Sequence, residues 1–271
     1  MIDQIQAQPK ASKIVAIIQG RMSSSRLPGK VLMDIGGEPM LLRVVRRVQK
    51  VKSIQDVWVA TTDQASDDPL VYLCKESNLP CYRGSTFDVL DRFYQTARAA
   101  GADVVVRITA DCPLIDPAVI DRTVNALFTT GADFTANRLP PPWKRTYPIG
   151  MDVEVCWFAG LERAWREAEL PHEREHVMPF FYDAPGRFNI HVVNAEEDYG
   201  QLRWTVDTPE DLEVVRRIYS LLADTPDFTW RDVLAVWHDH PELAAINAEV
   251  YHHKFDEVDQ RFVSQNTRRK K

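Results

Sequence analysis

Short apolar runs alternate with amphipathic helical segments over the first half of the chain, and this alternation restricts the possible folds more than any other feature. The first run, at residues 13–18, is almost continuously apolar, which is typical of a strand covered on both faces. Further strands are predicted at 56–61, 80–83 and 103–109, and each precedes a segment with helical periodicity. Four such units in succession predict an α/β fold, a three-layer sandwich around a mostly parallel sheet with right-handed crossovers.

Start and stop signals place the four helices of these units. We expect them at 39–51, from 67 or 68 onward, at 87–100 and at 117–130. The signals are prolines in a first turn, aspartates as caps and glycines as stops. They are Pro39, Pro69 and Pro117, then Asp67 or Asp68 and Asp116, and finally Gly101 and Gly131.

The pattern changes after residue 138, where three prolines at 140–142 exclude regular structure. An alternating strand is predicted at 147–158, with Asp152 and Glu154 on the face opposite its apolar side chains. The rest is expected to form helices at 159–169 and 173–184, strands at 188–193 and 202–206, and closing helices at 208–223 and 229–238. We interpret the organisation as a flexible leader (1–12), a single domain (13–240) and a C-terminal extension with a basic tail (241–271).

Composition argues against several classes of protein. A net charge of −6 and an isoelectric point of about 5.7 do not suit a chain that wraps a nucleic acid polymer. The N-terminus has no apolar signal region, and no run approaches the roughly 18 apolar residues of a membrane span. The four cysteines form no CxxC pair, which suits reduced thiols. We therefore expect a cytoplasmic protein that neither enters a membrane nor binds nucleic acid.

The loop after the first predicted strand, residues 19–30, concentrates cations, hydroxyls and glycines. Ligands of open α/β sheets bind at the carboxyl ends of the strands, so phosphate chemistry is expected at this loop. Arg21, Arg26 and Lys30 supply the positive charge that a triphosphate requires. The serines and glycines allow N–H and O–H donors to approach phosphate oxygens. An ordinary polar surface loop is the alternative.

Two known phosphate-binding patterns do not fit this loop. Gly29-Lys30 is followed by Val31, and the first glycine of GxxxxGK would fall on Ser24, so the loop is not a Walker A motif. The loop also lacks GxGxxG. Its chemistry therefore has to be interpreted from its own residues.

Two aspartates follow apolar strands in the same manner. Asp111 comes just after the run at 103–109, and Asp207 just after the run at 202–206. Carboxylates at neighbouring strand ends suit Mg²⁺, which keeps several waters and binds one or two carboxylates together with substrate phosphates. Asp207 could instead cap the helix that starts nearby. Asp116 and Asp211 are interpreted as structural.

His172-Glu-Arg-Glu-His176 matches the HExxH pattern of zinc proteases. Pro171 places the motif in a first helical turn, Pro179 interrupts the following turn, and no third ligand occurs at the usual spacing. A metalloprotease is therefore the weaker interpretation of this segment.

The loop and its flanks carry a family resemblance. Gln19-Gly-Arg-Met-Ser-Ser-Ser-Arg-Leu-Pro-Gly-Lys-Val-Leu, followed by Ile-Gly-Gly-Glu-Pro-Met-Leu, resembles the opening of the cytidylyltransferases that activate 3-deoxy-manno-octulosonate and acylneuraminate. The spore coat polysaccharide F-type branch is the most similar, and the resemblance extends over about residues 13–240. It implies a nucleotide-diphospho-sugar transferase fold of the GT-A, Rossmann-like kind. It also implies Mg²⁺-dependent transfer of CMP from CTP to an acidic sugar or small hydroxy or sugar acid, release of pyrophosphate, and a homodimer.

The same resemblance assigns roles to residues. The catalytic set is Arg21, Arg26, Lys30, Asp111 and Asp207, in which the cations bind the CTP phosphates and the aspartates bind Mg²⁺. The nucleotide-binding set is Gln19, Gly20, Arg21, Met22, Ser23, Ser24, Arg26, Lys30, Thr62, Arg83 and Ser85. The acceptor-binding set is Asp152, Glu154, Arg174, Glu175 and His176. A preference for cytosine follows from the resemblance alone, because no base pocket can be read from the residues.

Two other functions share parts of this pattern. A GT-A glycosyltransferase would use a nucleotide sugar and would need an Asp-x-Asp metal motif, which Asp111-Cys-Pro does not supply. A nucleotide-binding scaffold without catalysis would have no use for both Asp111 and Asp207. Only a measurement of activity separates it from an enzyme.

Overall fold

The computed structural model describes residues 12–251 and is built on one central sheet. The strands of the described part are β1 (Ile14–Gln19), β2 (Asp34–Ile35), β3 (Glu38–Pro39), β4 (Asp56–Thr62), β5 (Cys81–Gly84), β6 (Val104–Thr109), β7 (Phe134–Ala136), β8 (Glu154–Trp157) and β9 (Ile190–Val192). The helices are α1 (Met40–Val48), α2 (Asp68–Glu76), α3 (Val89–Ala100), α4 (Pro117–Thr130), α5 (Phe158–Glu167), α6 (Pro171–His176), α7 (Pro179–Tyr182), α8 (Pro209–Leu221), α9 (Trp230–Asp239) and α10 (Glu242–Ile246).

The central sheet has seven strands in the order β5-β4-β1-β6-β8-β7-β9. β5, β4, β1 and β6 are parallel to one another, β8 runs antiparallel to both of its neighbours, and β9 is parallel to β7. The predicted α/β sandwich with a mostly parallel sheet is confirmed. The four parallel strands bring the loops that follow β1, β4, β5 and β6 to one edge of the sheet.

The side chains of β1 alternate between two hydrophobic cores, one on each face of the sheet. Ile14, Ala16 and Ile18 pack in a core with α1, α2, α4, α8 and α9, whereas Val15 and Ile17 pack in a core with α3, α5 and α7. A strand covered on both faces has no polar alternation. This explains why the first apolar run is continuous.

The second half of the chain is less regular than predicted. The strand predicted at 147–158 is regular only over β8, and the one predicted at 202–206 contributes a single bridge between Ile149 and Arg203. Gly150 is the physical reason, since its φ of +104° breaks the extended conformation. A Cβ there would lie 2.6 Å from the backbone nitrogen of Thr205. The short strand β7 was not predicted at all.

Several helix boundaries also differ from the prediction. α1 begins at Met40, so Pro39 lies in β3 and precedes the first turn instead of occupying it. The helix predicted at 173–184 is divided into α6 and α7, because Val177 has a φ of +73°. Gly101 and Gly131 end α3 and α4 as expected, both with positive φ.

The predicted leader at 1–12 and the basic tail of the predicted extension fall almost entirely outside the described residues, so the division into leader, domain and extension stays a prediction. Leu243 of α10 is 1% exposed and packs against the same core as α8. The four cysteines are free thiols, as predicted. Every helix between residues 12 and 251 is too short or too polar to span a bilayer.

Candidate active site

A buried carboxylate fixes the loop that follows β1. Asp67 is 1% exposed and accepts hydrogen bonds from the backbone N–H of Met22 (2.7 Å) and the hydroxyl of Thr61 (3.0 Å). It also accepts from the backbone N–H of Thr62 at 3.1 Å and from the Thr62 hydroxyl. These bonds tie the loop to the end of β4. A cap of α2 was predicted at Asp67 or Asp68, but the side chain of Asp67 makes no capping hydrogen bond. It positions the loop instead.

Lys30 lies between the two predicted metal-binding aspartates. Its Nζ is 2.9 Å from Asp111 Oδ2 and 2.9 Å from Asp207 Oδ1, and it donates to the Val206 carbonyl at 2.7 Å. Gly29, with φ +73°, turns the chain so that Lys30 enters the interior, where it is 7% exposed. Burial alone would lower the pKa of Lys30, but the two carboxylates outweigh burial and raise it. Lys30 is therefore charged at neutral pH.

Asp207 is surrounded by cations. In addition to Lys30, Arg26 Nη2 lies 3.0 Å and Arg203 Nη2 lies 2.9 Å from its Oδ2. Burial acts to raise the pKa of Asp207, but Lys30, Arg26 and Arg203 together lower it to about 2. This carboxylate is therefore ionised throughout the physiological range.

The alternative role of Asp207 as a helix cap is not what the structure shows. Thr208 is the N-cap of α8, where its side chain accepts from the backbone N–H of Asp211. Asp211 is fully buried and binds Arg203 at 2.8 Å, which agrees with its structural interpretation. Asp116 caps α4 as predicted, by accepting from the N–H groups of Ala118 and Val119.

These groups face a cavity of about 240 Å³ at the carboxyl ends of β1 and β6. It is lined by Gln19, Gly20, Arg21, Ser24, Ser25, Arg26, Lys30, Val31, Thr109, Ala110, Asp111 and Asp207. Six of the predicted nucleotide-binding residues and all five of the predicted catalytic residues thus meet at one place. Its charged side chains are three cations and two carboxylates, an arrangement suited to an anionic ligand.

The donor set of this cavity is compatible with Mg²⁺. Asp111 and Asp207 converge on one point, now taken by the Lys30 ammonium group, and both are hard oxygen ligands. Residues 12–251 contain no group of three or more His, Cys, Asp or Glu side chains placed to hold a metal ion. Such a pair suits Mg²⁺, which completes its octahedron with waters and phosphates, and the same finding gives no support to an HExxH zinc site.

A second, smaller cavity of about 100 Å³ adjoins the first. Gln19 and Arg21 line both cavities. The other lining residues are Thr86, Phe87, Val89, Arg92, Arg107, Glu175 and His176. Two residues of the predicted acceptor-binding set therefore lie beside the predicted phosphate-binding loop.

Comparison with known proteins agrees with this geometry. A family model described as cytidylyltransferase matches residues 15–228. The chain belongs to the cytidylyltransferase family. The predicted resemblance, and the CTP-dependent nucleotidyltransferase that it implied, are confirmed at the level of the family.

Individual relatives cover most of this cytidylyltransferase. The spore coat polysaccharide biosynthesis protein SpsF of Bacillus subtilis is 32% identical over 238 residues, covering 85% of this chain and 96% of that protein. A 3-deoxy-manno-octulosonate cytidylyltransferase of Solibacter usitatus is 38% identical over 249 aligned residues, covering 76% and 94%. The solved structure of a cytidylyltransferase from Leptospira borgpetersenii superposes with a TM-score of 0.81 at 31% identity, covering 89% of this chain and 100% of that one.

Other predicted residues of this cytidylyltransferase line neither cavity. Arg83 donates to the carbonyls of Thr62 (3.1 Å) and Gln64 (2.8 Å) and pairs with Asp68 at 2.7 Å. The remaining members of the predicted nucleotide-binding set outside both cavities are Met22, Ser23, Thr62 and Ser85. Hydrogen bonds of Met22, Thr62 and Ser85 hold the backbone of the loops, and a role of these residues against the nucleotide stays a prediction.

Three predicted acceptor-binding residues are engaged in ion pairs beside the cavities. Arg174 binds Asp88, the N-cap of α3, at 2.6 Å, and Asp152 pairs with Arg145. Glu154 is 4% exposed and pairs with Arg107, which itself lines the smaller cavity. Glu154 therefore does not line the smaller cavity itself but binds Arg107, which does.

Sequence reasoning missed Arg92 and Arg107. Arg107 interrupts the apolar run of β6, and Arg92 lies among Val89, Phe93 and Thr96 on the buried face of α3. A charged residue in a buried pattern costs free energy unless it is paired or used. That signal was present in the sequence and would have indicated both residues.

Proposed function

We propose that this cytidylyltransferase transfers CMP from CTP to a hydroxyl of an acidic sugar or a small hydroxy or sugar acid, with release of pyrophosphate. The observation that carries the proposal is the larger cavity, where Lys30 lies 2.9 Å from both Asp111 and Asp207 and where Arg21 and Arg26 line the wall. Cations at this loop suit the phosphates of CTP, and oxygen ligands beside them suit a divalent metal.

The charges of the cavity favour a metal in addition to the nucleotide. Three cations and two carboxylates give a formal charge of +1 (3 − 2 = 1), which is less than a triphosphate requires. Mg²⁺ held by Asp111 and Asp207 would supply the missing positive charge and would polarise the α-phosphate as a Lewis acid. In this proposal Arg21, Arg26 and Lys30 bind and orient the phosphate chain, which is the main contribution of a protein to phosphoryl transfer.

The proposed reaction is a displacement at the α-phosphorus. The acceptor oxygen forms a bond to that phosphorus, and the bond from it to the bridging oxygen of the β-phosphate breaks. The bonding electrons leave with pyrophosphate, and the hydroxyl proton passes to solvent. Arg26 and Lys30 neutralise the negative charge that develops on the departing group.

The biological setting is also a proposal. The name of the Bacillus subtilis relative points to polysaccharide biosynthesis, and we expect the product to be an activated sugar acid for a surface polysaccharide or glycoconjugate. Because CTP is a metabolite of the cell interior, we expect the enzyme to act in the cytoplasm. The homodimer implied by the family stays a prediction.

Pyrophosphate detection tests this function directly. Purified protein is incubated with CTP, Mg²⁺ and a panel of sugar acids and hydroxy acids, with ATP, GTP and UTP as nucleotide controls and EDTA as a metal control. We expect pyrophosphate only with CTP, Mg²⁺ and at least one acid, together with a CMP-linked product by mass spectrometry. Silence over the whole panel, combined with no CTP binding by calorimetry, would contradict the proposal.

A further inference from the structure

The segment that follows α9 contacts the candidate active site. It contains α10, whose Leu243 is 1% exposed and packs in the same core as α8. Asn247 is the C-cap of α10 and is 6% exposed, and the carbonyl of Tyr251 accepts a hydrogen bond from Arg26 Nη1 at 3.2 Å. The match to the family model ends at residue 228, so this segment lies outside the part of the chain that the family model covers.

Asn247 binds a buried pair of opposite charges. Its Nδ2 donates to Asp211 Oδ1 at 3.0 Å and to the Arg203 carbonyl at 3.3 Å. Asp211 is fully buried and accepts from Nε and Nη2 of Arg203, both at 2.8 Å. Its Oδ2 also accepts from the backbone N–H groups of Asp207 (3.0 Å) and Thr208 (3.1 Å). A buried ion pair is stable only when its remaining hydrogen-bonding positions are filled, and Asn247 fills one of them.

Arg203 connects this buried pair to the larger cavity. Its Nη2 donates to Asp211 Oδ2 and also, at 2.9 Å, to Asp207 Oδ2. The other oxygen of Asp207 lies 2.9 Å from Lys30 Nζ. The direction of the Asp207 carboxylate therefore depends on the place of Arg203, which is held in turn by Asp211. Residues that orient a site's contacting groups from behind matter for function, and their loss typically costs about 10- to 100-fold.

We propose that Asn247 is a positioning residue of the transferase, which fixes the carboxylate of Asp207 in the larger cavity through Asp211 and Arg203. This inference rests on the proposed function. Asn247 lines neither cavity, so it acts through these two side chains and not on a substrate. A purely structural amide would affect only the stability of the fold, whereas a positioning amide also affects turnover.

The experiment separates turnover from stability. Asn247→Leu removes the donated hydrogen bonds at similar side-chain volume, and Asn247→Ala removes them while leaving space. Thr229→Ala is the matched control, because it removes the N-cap of α9, whose hydroxyl bonds within its own capping box with Asp232. The measurements are kcat and KM with the most active acid of the panel, the CTP dissociation constant without metal, and Tm. Hydrogen exchange of the peptide that contains the amides of Asp207 and Thr208 is measured in addition.

We expect both Asn247 variants to lower kcat about 10- to 100-fold, while KM and the metal-free CTP dissociation constant change little. Exchange at the amides of Asp207 and Thr208 should rise, because their acceptor Asp211 is less firmly held. Thr229→Ala should lower Tm by about 2–4 °C, as loss of a helix cap predicts, and should leave kcat and this exchange near wild type.

The outcomes separate this inference from the proposed function. A wild-type kcat in the folded Asn247 variants, or a loss no greater than in Thr229→Ala, would overturn the positioning role and leave the function intact. Failure of both Asn247 variants to fold would also overturn it, because the amide would then be a requirement of folding. In a protein that makes no pyrophosphate with any acid, the function is rejected. Exchange then decides whether Asn247 holds the backbone at Asp207, and unchanged exchange would overturn that contact too.

Discussion

The loop after β1 and the segment around α6 are both rich in charge, yet the structure uses them differently. In the loop, Arg26 and Lys30 point into a cavity and pair with carboxylates that line the same cavity. In α6, Arg174 is bound to the N-cap of α3, and only its neighbours Glu175 and His176 reach a cavity. A dense cationic motif is therefore more informative at the end of a parallel strand than on a short helix that packs against another helix.

The largest expected effect comes from the centre of the loop. Lys30→Met should lower kcat by about 10²–10³-fold, which is typical for loss of one donor to a developing negative charge. Initial rates at saturating CTP and acceptor measure it. Lys50→Met, which removes a surface lysine paired with Asp227, is the control. A Lys30→Met enzyme with wild-type kcat would show that the loop is no more catalytic than α6.

The second prediction concerns the carboxylate that holds the loop. Asp67→Ala should lower the free energy of unfolding by about 2–3 kcal/mol, because buried donors of Met22, Thr61 and Thr62 lose their acceptor. Urea denaturation measures it. Asp68→Ala is the matched control, since the neighbouring Asp68 side chain is 60% exposed. Equal losses in both variants would mean that Asp67 does not anchor the loop.

Acid sensitivity tests the ion pairs of Asp207. Because the pKa of Asp207 in the folded protein is lowered from 3.8 to about 2, its ion pairs contribute fully to the free energy of unfolding above pH 5. This contribution is lost as the pH falls towards 2. The contribution amounts to about 2 kcal/mol. Urea unfolding at pH 6 and pH 3 should therefore show a larger loss of stability in wild type than in Asp207→Asn. Parallel pH profiles would contradict the assignment.

Nucleotide affinity should respond to the second cation of the loop. Arg26→Ala should weaken CTP binding about 10-fold while kcat at saturating CTP falls less, because one charge-assisted contact to phosphate is lost. Isothermal titration calorimetry gives the affinity. Arg46→Ala, which removes an exposed surface arginine, is the control. A CTP affinity equal to wild type would separate Arg26 from the phosphates.

The smallest effect is expected in the segment around α6. Arg174→Ala should lower the free energy of unfolding by about 1 kcal/mol, through its lost pairing with the N-cap Asp88. The acceptor KM should remain near wild type. Thermal melting and acceptor titration measure the two quantities. A large rise in KM without a change in stability would support the predicted place of Arg174 in the acceptor-binding set.

Local sequence patterns were sufficient to predict the strands and helices of the parallel half of the fold. The apolar runs of β1 and β6 and the caps at Asp116 and Gly131 act within a few residues, so they can be read along the chain. The break at Val177 could not be read, because a positive φ at a β-branched residue is disfavoured and is imposed by packing. The interruption at Gly150 follows from the close approach of the backbone of Thr205, which is distant in sequence.

The main charged residues of the candidate site could be predicted from the sequence, but the contacts between them could not. The cations of the loop and the two strand-end aspartates were identified, yet Lys30 meets partners 81 and 177 residues away, a pairing that no local pattern encodes. Arg83 was predicted to bind the nucleotide, but in the structure its guanidinium donates to the carbonyls of Thr62 and Gln64, and these contacts could not be predicted from the sequence either. Which charges meet is decided by the order of strands in the sheet.

Lys30 also serves as a resident counter-ion. Two carboxylates drawn to one point repel each other. Here the ammonium group holds them together from within the chain, and the Val206 carbonyl fixes that group at 2.7 Å. The chain's own cation thus maintains the geometry of the pair before any substrate arrives.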